Sequence, residues 1–418
     1  MPTACWPGTI FPPLAPHYEI HLLTMKYIFL VPDGMADLPL AELDGQTPMQ
    51  AARTPNFDAL AQTSLVGSVL TVPPGLYPGS DVANMSLLGY DPRRYYTGRG
   101  PIEAVAMGIP LDKRDAAYRC SLVTSDGETM QDYSSGHIST EEARPLIELV
   151  EKKLGGRGLS FFPGVGYRHI LRWSDGPVEV KTTAPHDIQG KLLSDYWPEG
   201  DRAERLRQMM YDSLEILDNH PVNRQRREEG KLPGSMIWLW GQGYAPSLPN
   251  FLATFGKRGA VITAVDVVRG LARATGLDII NVPGATGYID TDYEAKARYA
   301  LAALDTHDFV YVHVESPDES GHEGNLEHKL QSIEDIDRKT LGTLRAGMEA
   351  RGPYRLLIAP DHKTPLSLKT HEEGPVPFLL YDSQAPHTAS HFPFDERAVQ
   401  EATTQVEDGT QLIRMLFV

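Results

Sequence analysis

The sequence predicts an α/β protein whose doubly wound core is interrupted once by a smaller α+β domain. Short apolar runs alternate with helical patterns along residues 26–109 and again beyond residue 236, which is typical of a largely parallel sheet. Residues 110–191 instead carry shorter, half-exposed strand patterns around one clear helix. The length of 418 residues also favours about two domains over a single core.

The elements follow in chain order. The first part of the core has predicted strands at 26–31 and 65–69, with a helix at 51–63 between them, and a further helix that starts near Ser80. In the insertion, a helix at 141–154 has Ser139 or Thr140 as its cap. Residues 202–229 are strongly charged and predict solvated helix and connecting loop. Beyond them, apolar runs assign strands to the core at 236–241, 260–265, 309–315, 355–360 and 376–381, and residues 326–350 predict a long helical segment.

These patterns set the predicted domain boundaries. The core takes residues 25–109 and 192–418, and the insertion takes residues 110–191. Residues 1–24 hold five prolines and lack the basic start and continuous apolar stretch of a signal peptide, so we expect a disordered or loosely packed extension. Met25 directly precedes the first predicted strand and is the expected start of the folded chain.

Composition excludes several classes of partner. A net charge of −16 argues against nucleic-acid binding, which depends on basic patches. The sequence has no run of 18 apolar residues, so we expect no membrane span. Cys5 and Cys120 are too few for a disulfide framework and favour a cytoplasmic location. Whether copies of the chain form a homo-oligomer is left open.

Seven side chains with phosphoryl-transfer chemistry stand where apolar runs give way to loops. Because ligands bind beyond the carboxyl ends of strands in open sheets, residues distant in sequence can converge at that edge. Aspartate oxygens and histidine nitrogens suit two divalent ions such as Mn, Zn, Mg or Co, and a hydroxyl at a helix start suits a phosphate-accepting nucleophile. The seven residues are Asp33, Ser80, Asp318, His322, Asp361, His362 and His371.

Six segments carry a resemblance to a known family. They begin KYIFLVPDGMADLPL at Lys26, PPGLYPGSDVANMSLLGYDP at Pro73, DYSSGHISTEEA at Asp132, VPGATGYIDTDYEAKA at Val282, FVYVHVESPDESGHEGN at Phe309 and APDHKTP at Ala359. From about residue 25 onward the chain resembles the cofactor-independent, or 2,3-bisphosphoglycerate-independent, phosphoglycerate mutases of the archaeal type. They are a branch of the alkaline phosphatase superfamily. Residues 193–235 are the least distinctive part.

The resemblance implies an alkaline phosphatase-like core and a role for each of the seven residues. It places Asp33, Ser80, Asp361 and His362 around one metal ion, and the remaining three around the other. Ser80 becomes the residue that is transiently phosphorylated while 3-phosphoglycerate, a small phosphorylated three-carbon acid, is converted to 2-phosphoglycerate without a bisphosphoglycerate primer. The insertion would close over the substrate and exclude water.

The residues that hold the substrate are predicted from weaker signals. Arginine suits bidentate recognition of phosphate and carboxylate groups. One histidine is included because it lies in the DYSSGHIST segment of the family. The candidates are Arg94, Arg99, His137, Arg168 and His186.

Two other functions stay open on the sequence alone. A metal-dependent phosphotransferase, for example one with homoserine kinase-like activity, or a phosphomonoester hydrolase would share the same core and chemical groups. No G-x-x-x-x-G-K-[ST] loop is present, which weakens a conventional kinase. A noncatalytic metal-stabilised binding protein is the third reading, but it would have no use for Ser80 at a helix start.

Overall fold

The computed structural model describes residues 24–387 and 392–418. Apart from Thr24, the predicted N-terminal extension lies outside these ranges. Within them the strands are β1 Lys26–Pro32, β2 Leu65–Val69, β3 Asp115–Ser125, β4 Met130–Asp132, β5 Leu159–Phe162, β6 Arg168–Ser174, β7 Val180–Lys181, β8 Glu199–Gly200, β9 Met236–Gly243, β10 Gly259–Ile262, β11 Asp278–Ile279, β12 Phe309–Val314, β13 Tyr354–Ile358, β14 Val376–Asp382 and β15 Gln405–Val406.

Sixteen α-helices lie in the same ranges: α1 Pro48–Ala51, α2 Pro55–Ala61, α3 Ser80–Leu87, α4 Pro92–Tyr95, α5 Arg99–Ala106, α6 Thr140–Leu154, α7 Ala203–Asp218, α8 Pro221–Glu228, α9 Phe251–Phe255, α10 Asp266–Thr275, α11 Tyr293–Ala303, α12 Ser316–Glu323, α13 Leu326–Asp335, α14 Gly342–Glu349, α15 Arg397–Glu401 and α16 Thr410–Phe417. A π-helical turn, Ile336–Leu341, joins α13 to α14. None of the helices in these ranges has the length and apolar character needed to cross a bilayer.

The large sheet has eight strands in the order β11-β10-β12-β1-β13-β14-β2-β15. The central strands β10, β12, β1 and β13 run parallel, as the apolar runs predict, whereas β14 runs antiparallel to both of its neighbours. The middle strands β1 and β12 are buried at every position except Lys26, because helices cover both faces of the sheet. The mixed α/β class predicted from the sequence is therefore confirmed, with one reversed strand.

A second sheet has its own hydrophobic core. Strands β4, β3, β6 and β5 pair in that order, and β9 pairs antiparallel with the other edge of β3. Helix α6 packs on this sheet, and the Ser139 side chain caps it by accepting a hydrogen bond from the Glu142 N–H, as predicted. Helix α7 contributes Leu206, Met209 and Met210 to the same core.

The strand at 236–241 was assigned to the wrong sheet. The structure pairs β9 with β3, so that Trp240 lies opposite Arg119 and Leu239 opposite Cys120. A uniformly apolar run predicts a buried strand, but it does not predict which sheet the strand joins, because the choice of sheet depends on pairing with residues distant in sequence. The division into domains at residues 110 and 191 stays a prediction, and the second sheet draws on residues up to Gly243.

Two helical predictions also differ in detail. The helix predicted at 51–63 is shorter in the structure, because α2 covers only Pro55–Ala61 and the preceding helix α1 already ends at Ala51; each of the two has a proline in its first turn. Residues 316–323, predicted as a loop, form helix α12 directly after β12. The helix places Asp318 and His322 one turn apart on the same face, because residues four apart are neighbours on a helix surface.

Candidate metal centre

Five connections meet at one edge of the large sheet. Asp33 follows β1, Asp318 follows β12 at the start of α12, and Asp361 follows β13. These three strands are parallel, so their carboxyl ends share that edge. His371 precedes the antiparallel strand β14 and therefore reaches the same edge, as does Ser80 at the start of α3. The structure thus brings all seven predicted residues together.

The first cluster surrounds the Ser80 hydroxyl. Ser80 Oγ lies 3.1 Å from His362 Nε2. The same nitrogen is 3.4 Å from Asp33 Oδ1 and 3.5 Å from Asp361 Oδ2. All four residues are buried. A nucleophile, an imidazole and two carboxylates therefore face one another in a space that excludes most water.

The second cluster consists of one carboxylate and two imidazoles. Asp318 Oδ2 lies 3.3 Å from His322 Nε2, and Asp318 Oδ1 lies 3.5 Å from His371 Nε2. The two Nε2 atoms are 3.1 Å apart. On the far side of one ring, His322 Nδ1 lies 3.1 Å from the Lys369 carbonyl oxygen. In the neutral form of the ring, that contact places the proton on Nδ1 and turns the Nε2 lone pair toward the cluster.

The two clusters are in direct contact. The rings of His362 and His371 have centroids 4.2 Å apart. Thr364 Oγ1 donates a 2.5 Å hydrogen bond to Asp318 Oδ1 and lies 3.2 Å from His362 Nδ1. One hydroxyl thus links a carboxylate of the second cluster to an imidazole of the first.

The electrostatics of the site favour bound cations. Burial, together with the charges of Asp361 and Asp318, raises the pKa of Asp33 well above its usual range. Both Asp33 oxygens are buried without a hydrogen-bond partner, which is costly for a carboxylate unless a cation compensates it. Burial also lowers the pKa of His362 to about 4, so that its imidazole is neutral and able to bind a metal. The donor set and its unpaired oxygens therefore fit divalent ions.

Asp318 is held in its charged form. Burial alone would raise the pKa of this carboxyl, but His322 and His371 outweigh that effect and hold it well below its usual range. In turn, burial disfavours a charge on His322, yet Asp318 raises the pKa of this imidazole to about 9. Protons therefore occupy positions in the second cluster that a cation would take.

Two residues at the site were not found by sequence reasoning. His313 is the last residue but one of β12, with Nε2 3.2 Å from Asp33 Oδ2, and it forms with Asp33 and Asp361 a group able to hold a metal. Asn84, one turn after Ser80 on α3, donates from Nδ2 to Asp361 Oδ2 at 2.8 Å and to the Ser80 carbonyl at 2.9 Å. For His313 the sequence did hold a signal, which is a single histidine within an otherwise apolar run. For Asn84 it held none.

Three of the predicted substrate residues lie near one another. Arg99 Nε is 2.9 Å from Glu103 Oε1, and Arg119 also pairs with that carboxylate. Burial raises the pKa of Glu103, but Arg119, Arg99 and Arg168 together hold it below its usual value. Two guanidinium groups thus contact one carboxylate and the charge of a third acts on it, which leaves an excess of positive charge for an anion.

His186 connects this arginine group to the metal clusters. Its ring centroid is 5.5 Å from that of Trp240, over which the Arg99 and Arg119 guanidinium groups also lie. Burial and then the charges of Arg99, His371 and His322 lower the pKa of His186 well below its usual value. The second sheet therefore presents its polar groups toward the edge where the metal ligands meet.

The other two candidates lie elsewhere. Arg94 is exposed on α4, with its guanidinium 4.9 Å from the centroid of the Tyr95 ring. His137 is exposed in a left-handed turn, where its backbone N–H donates to Ser134 Oγ at 3.1 Å. The described contacts of these two residues are local, and their roles in substrate binding stay predictions.

Comparison with known proteins gives consistent matches. A family model described as 2,3-bisphosphoglycerate-independent phosphoglycerate mutase matches residues 61–223. A Geobacter sulfurreducens protein named a probable 2,3-bisphosphoglycerate-independent phosphoglycerate mutase is 52% identical over 397 residues, covering 94% of this chain and 100% of the relative. A Methanosarcina mazei protein named as the same mutase is 46% identical over 395 residues, with coverage of 94% and 100%.

Two solved structures share the fold. A Pyrococcus horikoshii protein is 29% identical with a TM-score of 0.78, covering 94% of this chain and 97% of that one. A cofactor-independent phosphoglycerate mutase from Thermoplasma acidophilum is 27% identical with a TM-score of 0.59, covering 94% and 99%. The similarity extends over both the large sheet and the second sheet.

Proposed function

Because the chain belongs to the 2,3-bisphosphoglycerate-independent phosphoglycerate mutase family, we propose that it interconverts 3-phosphoglycerate and 2-phosphoglycerate through transient phosphorylation of Ser80. The observation that carries this proposal is the position of Ser80 Oγ, 3.1 Å from His362 Nε2 and beside two buried carboxylates. A buried serine in such surroundings is suited to accept a phosphoryl group and pass it on. The substrate is a small phosphorylated acid, and the reaction needs no bisphosphoglycerate.

The proposed metal ligands follow the two clusters. Asp33, Ser80, Asp361 and His362 would hold one divalent cation, and Asp318, His322 and His371 would hold the other. Bound there, the cations would neutralise phosphoryl oxygens and ease deprotonation of the serine hydroxyl. The mixture of carboxylate oxygens and imidazole nitrogens suits Mn, Zn or Co more than Mg, which prefers oxygen ligands.

The chemical step is assigned to Ser80. Its Oγ loses its proton and forms a bond to phosphorus while the bond between phosphorus and the substrate's C3 oxygen breaks, and that oxygen takes up a proton. The glycerate then turns within the site. Its C2 oxygen loses a proton and bonds to phosphorus while the bond between Ser80 Oγ and phosphorus breaks, and Oγ takes up a proton again. Asn84 supports Ser80 throughout, because its amide is bonded both to the Ser80 carbonyl and to Asp361.

We assign retention of the glycerate to the arginines around Glu103 and to the insertion, which would cover the site. Arg99, Arg168 and His186 are proposed to hold the carboxylate, aided by the neighbouring Arg119. Tyr77 from the large core lies 3.3 Å from Asp187 of the insertion through its hydroxyl, and its ring centroid is 6.3 Å from that of His371. This contact favours a cover that excludes water, without which phospho-Ser80 would hydrolyse.

The test is an assay of metal-loaded protein with 3-phosphoglycerate, coupled to enolase, without bisphosphoglycerate. We expect conversion in the wild type and its loss by roughly three orders of magnitude or more in Ser80→Ala. Ser86→Ala is the matched control, since Ser86 is buried on the same helix and its hydroxyl has no hydrogen-bond partner. Release of free phosphate, or dependence on ATP, would contradict the mutase and support the hydrolase or phosphotransferase.

The cellular location and the oligomeric state of the protein remain proposals. A cytoplasmic location is supported by the low cysteine content, and the buried Cys120 has no disulfide partner among the described residues. Assembly into a homo-oligomer is supported by no observation in the described part of the chain. A sedimentation measurement of the purified protein would settle the latter directly.

A further inference from the structure

His313 occupies an unusual position for a polar side chain. It is the last residue but one of β12, where it lies opposite Val31 of β1, and it is completely buried. Its backbone is fixed by the buried Lys296, whose Nζ donates to the His313 carbonyl at 3.1 Å. The imidazole points toward the sheet edge at which Asp33 and Asp361 are found, and its Nε2 is 3.2 Å from Asp33 Oδ2.

The contact between His313 and Asp33 is not a hydrogen bond. Nε2 has no hydrogen-bond partner, and neither do the two Asp33 oxygens, although all three atoms are buried. A proton on Nε2 would therefore not point at the nearby carboxylate. Close separation without this alignment indicates that both atoms face a common third point.

The separation is the one expected for two ligands of a single ion. Nitrogen and oxygen donors lie about 2.0 to 2.2 Å from a metal such as zinc, so two donors at roughly 90° to 110° are about 3.0 to 3.5 Å apart. The observed 3.2 Å falls within that interval. Asp361 provides a third donor near the same two groups.

The other ring nitrogen supports the required tautomer. His313 Nδ1 lies 3.4 Å from Thr263 Oγ1, on the side of the ring away from Asp33, and Thr263 Oγ1 also accepts from the Val265 N–H at 3.0 Å. A proton on Nδ1 leaves the lone pair on Nε2, as is usual for metal-binding histidines whose second nitrogen meets an oxygen.

We propose that His313 is a ligand of the metal ion held by Asp33 and Asp361. This inference rests on the proposed two-metal function and adds to it a residue that the family resemblance does not supply. A further imidazole gives this position a nitrogen donor that discriminates against Mg, because Mg prefers oxygen ligands. The second cluster needs no such addition, since it already has two imidazoles.

The test uses cobalt, whose visible absorption reports its ligands. Wild-type protein, His313→Ala and His313→Asn are titrated with Co²⁺, and bound metal per chain and the absorption spectrum are recorded. We expect both variants to bind one of two cobalt ions at least about tenfold more weakly, with a changed spectrum. His169→Asn is the control, because His169 is buried and its Nε2 is also unpaired, yet it lies in β6 of the second sheet.

A crystal structure of the cobalt-loaded wild type distinguishes a ligand from a residue that only positions Asp33. A cobalt ion about 2.1 Å from His313 Nε2 supports the proposal, and a separation above about 3 Å overturns it even if the variants bind metal weakly. Unchanged affinity and spectrum in folded variants also overturn it. If the wild type binds no cobalt at all, the proposed function itself fails. If it binds two cobalt ions and neither is coordinated by His313, only the inference about His313 is refuted.

Discussion

Replacement of Lys329 by methionine should destabilise the large core strongly. Lys329 is completely buried on α13, where its Nζ is 2.6 Å from Asp37 Oδ2 and 2.7 Å from the Thr364 carbonyl oxygen. The Asp37 carboxylate also accepts the Leu366 N–H at 3.2 Å. Methionine fills the same space but leaves Asp37 as a buried, uncompensated charge.

The magnitude follows from the loss of one partner of a buried pair. We expect Lys329→Met to lower the free energy of unfolding by about 3 to 5 kcal/mol. It should also weaken metal binding, because the same ammonium group holds the carbonyl of Thr364, whose hydroxyl is bonded to Asp318. Stability is measured by urea unfolding followed by circular dichroism, and metal binding by cobalt titration.

Two further variants make the result interpretable. Lys339→Met removes a lysine from the following turn whose side chain is 40% exposed, and its bond to Asp335 should contribute no more than about 1 kcal/mol. Adding Asp37→Asn to Lys329→Met removes the stranded charge, so the double variant should recover part of the lost stability. A Lys329→Met protein whose free energy of unfolding is within about 1 kcal/mol of the wild-type value would show that the buried Lys329–Asp37 pair does not stabilise the core.

Three other predictions concern the site and the single described thiol. Thr364→Val should weaken cobalt binding roughly 10- to 100-fold while Thr364→Ser does not, because only the hydroxyl joins Asp318 to His362; equal affinities would contradict this. Since the pKa of His322 in the metal-free protein is about 9, metal affinity should rise with pH up to about 9 and then level off, in a titration series. The stability of the metal-free protein depends on pH in the opposite direction. The pKa of His322 is higher in the folded than in the unfolded protein, so its contribution to the free energy of unfolding is complete below a pH of about 6.5 and is lost as the pH rises through 9. Burial raises the pKa of the Cys120 thiol, so alkylation at Cys120, followed by peptide mapping, should be far slower in the native protein than in urea.

The edge of the sheet could be predicted because strand exits are a local property of the sequence. Asp33, Asp361 and His371 stand directly beside apolar runs, and parallel strands carry their exits to one edge. The reversal of β14 did not harm this prediction, since His371 precedes that strand instead of following it. The residues with strong local context were therefore placed correctly without knowledge of the pairing order.

The parts that failed depend on contacts between distant segments. An apolar strand such as β9 gives no indication of which sheet it joins. Likewise, Asn84 and Thr364 resemble ordinary helix and loop residues until Asp361 and Asp318 are brought against them. His313 did carry a local signal, but a buried strand histidine gains meaning only once Asp33 is known to be its neighbour.

The proposed mechanism requires Ser80 to carry the phosphoryl group during turnover. It is tested by mixing metal-loaded enzyme with 3-phosphoglycerate, quenching in acid within the first turnovers, and locating phosphate on the digested chain by mass spectrometry. We predict a phosphorylated peptide with the modification on Ser80, absent from Ser80→Ala and present in Ser86→Ala. Conversion to 2-phosphoglycerate without any phosphate on Ser80, or with the phosphate on another side chain, would show that the transfer does not pass through Ser80.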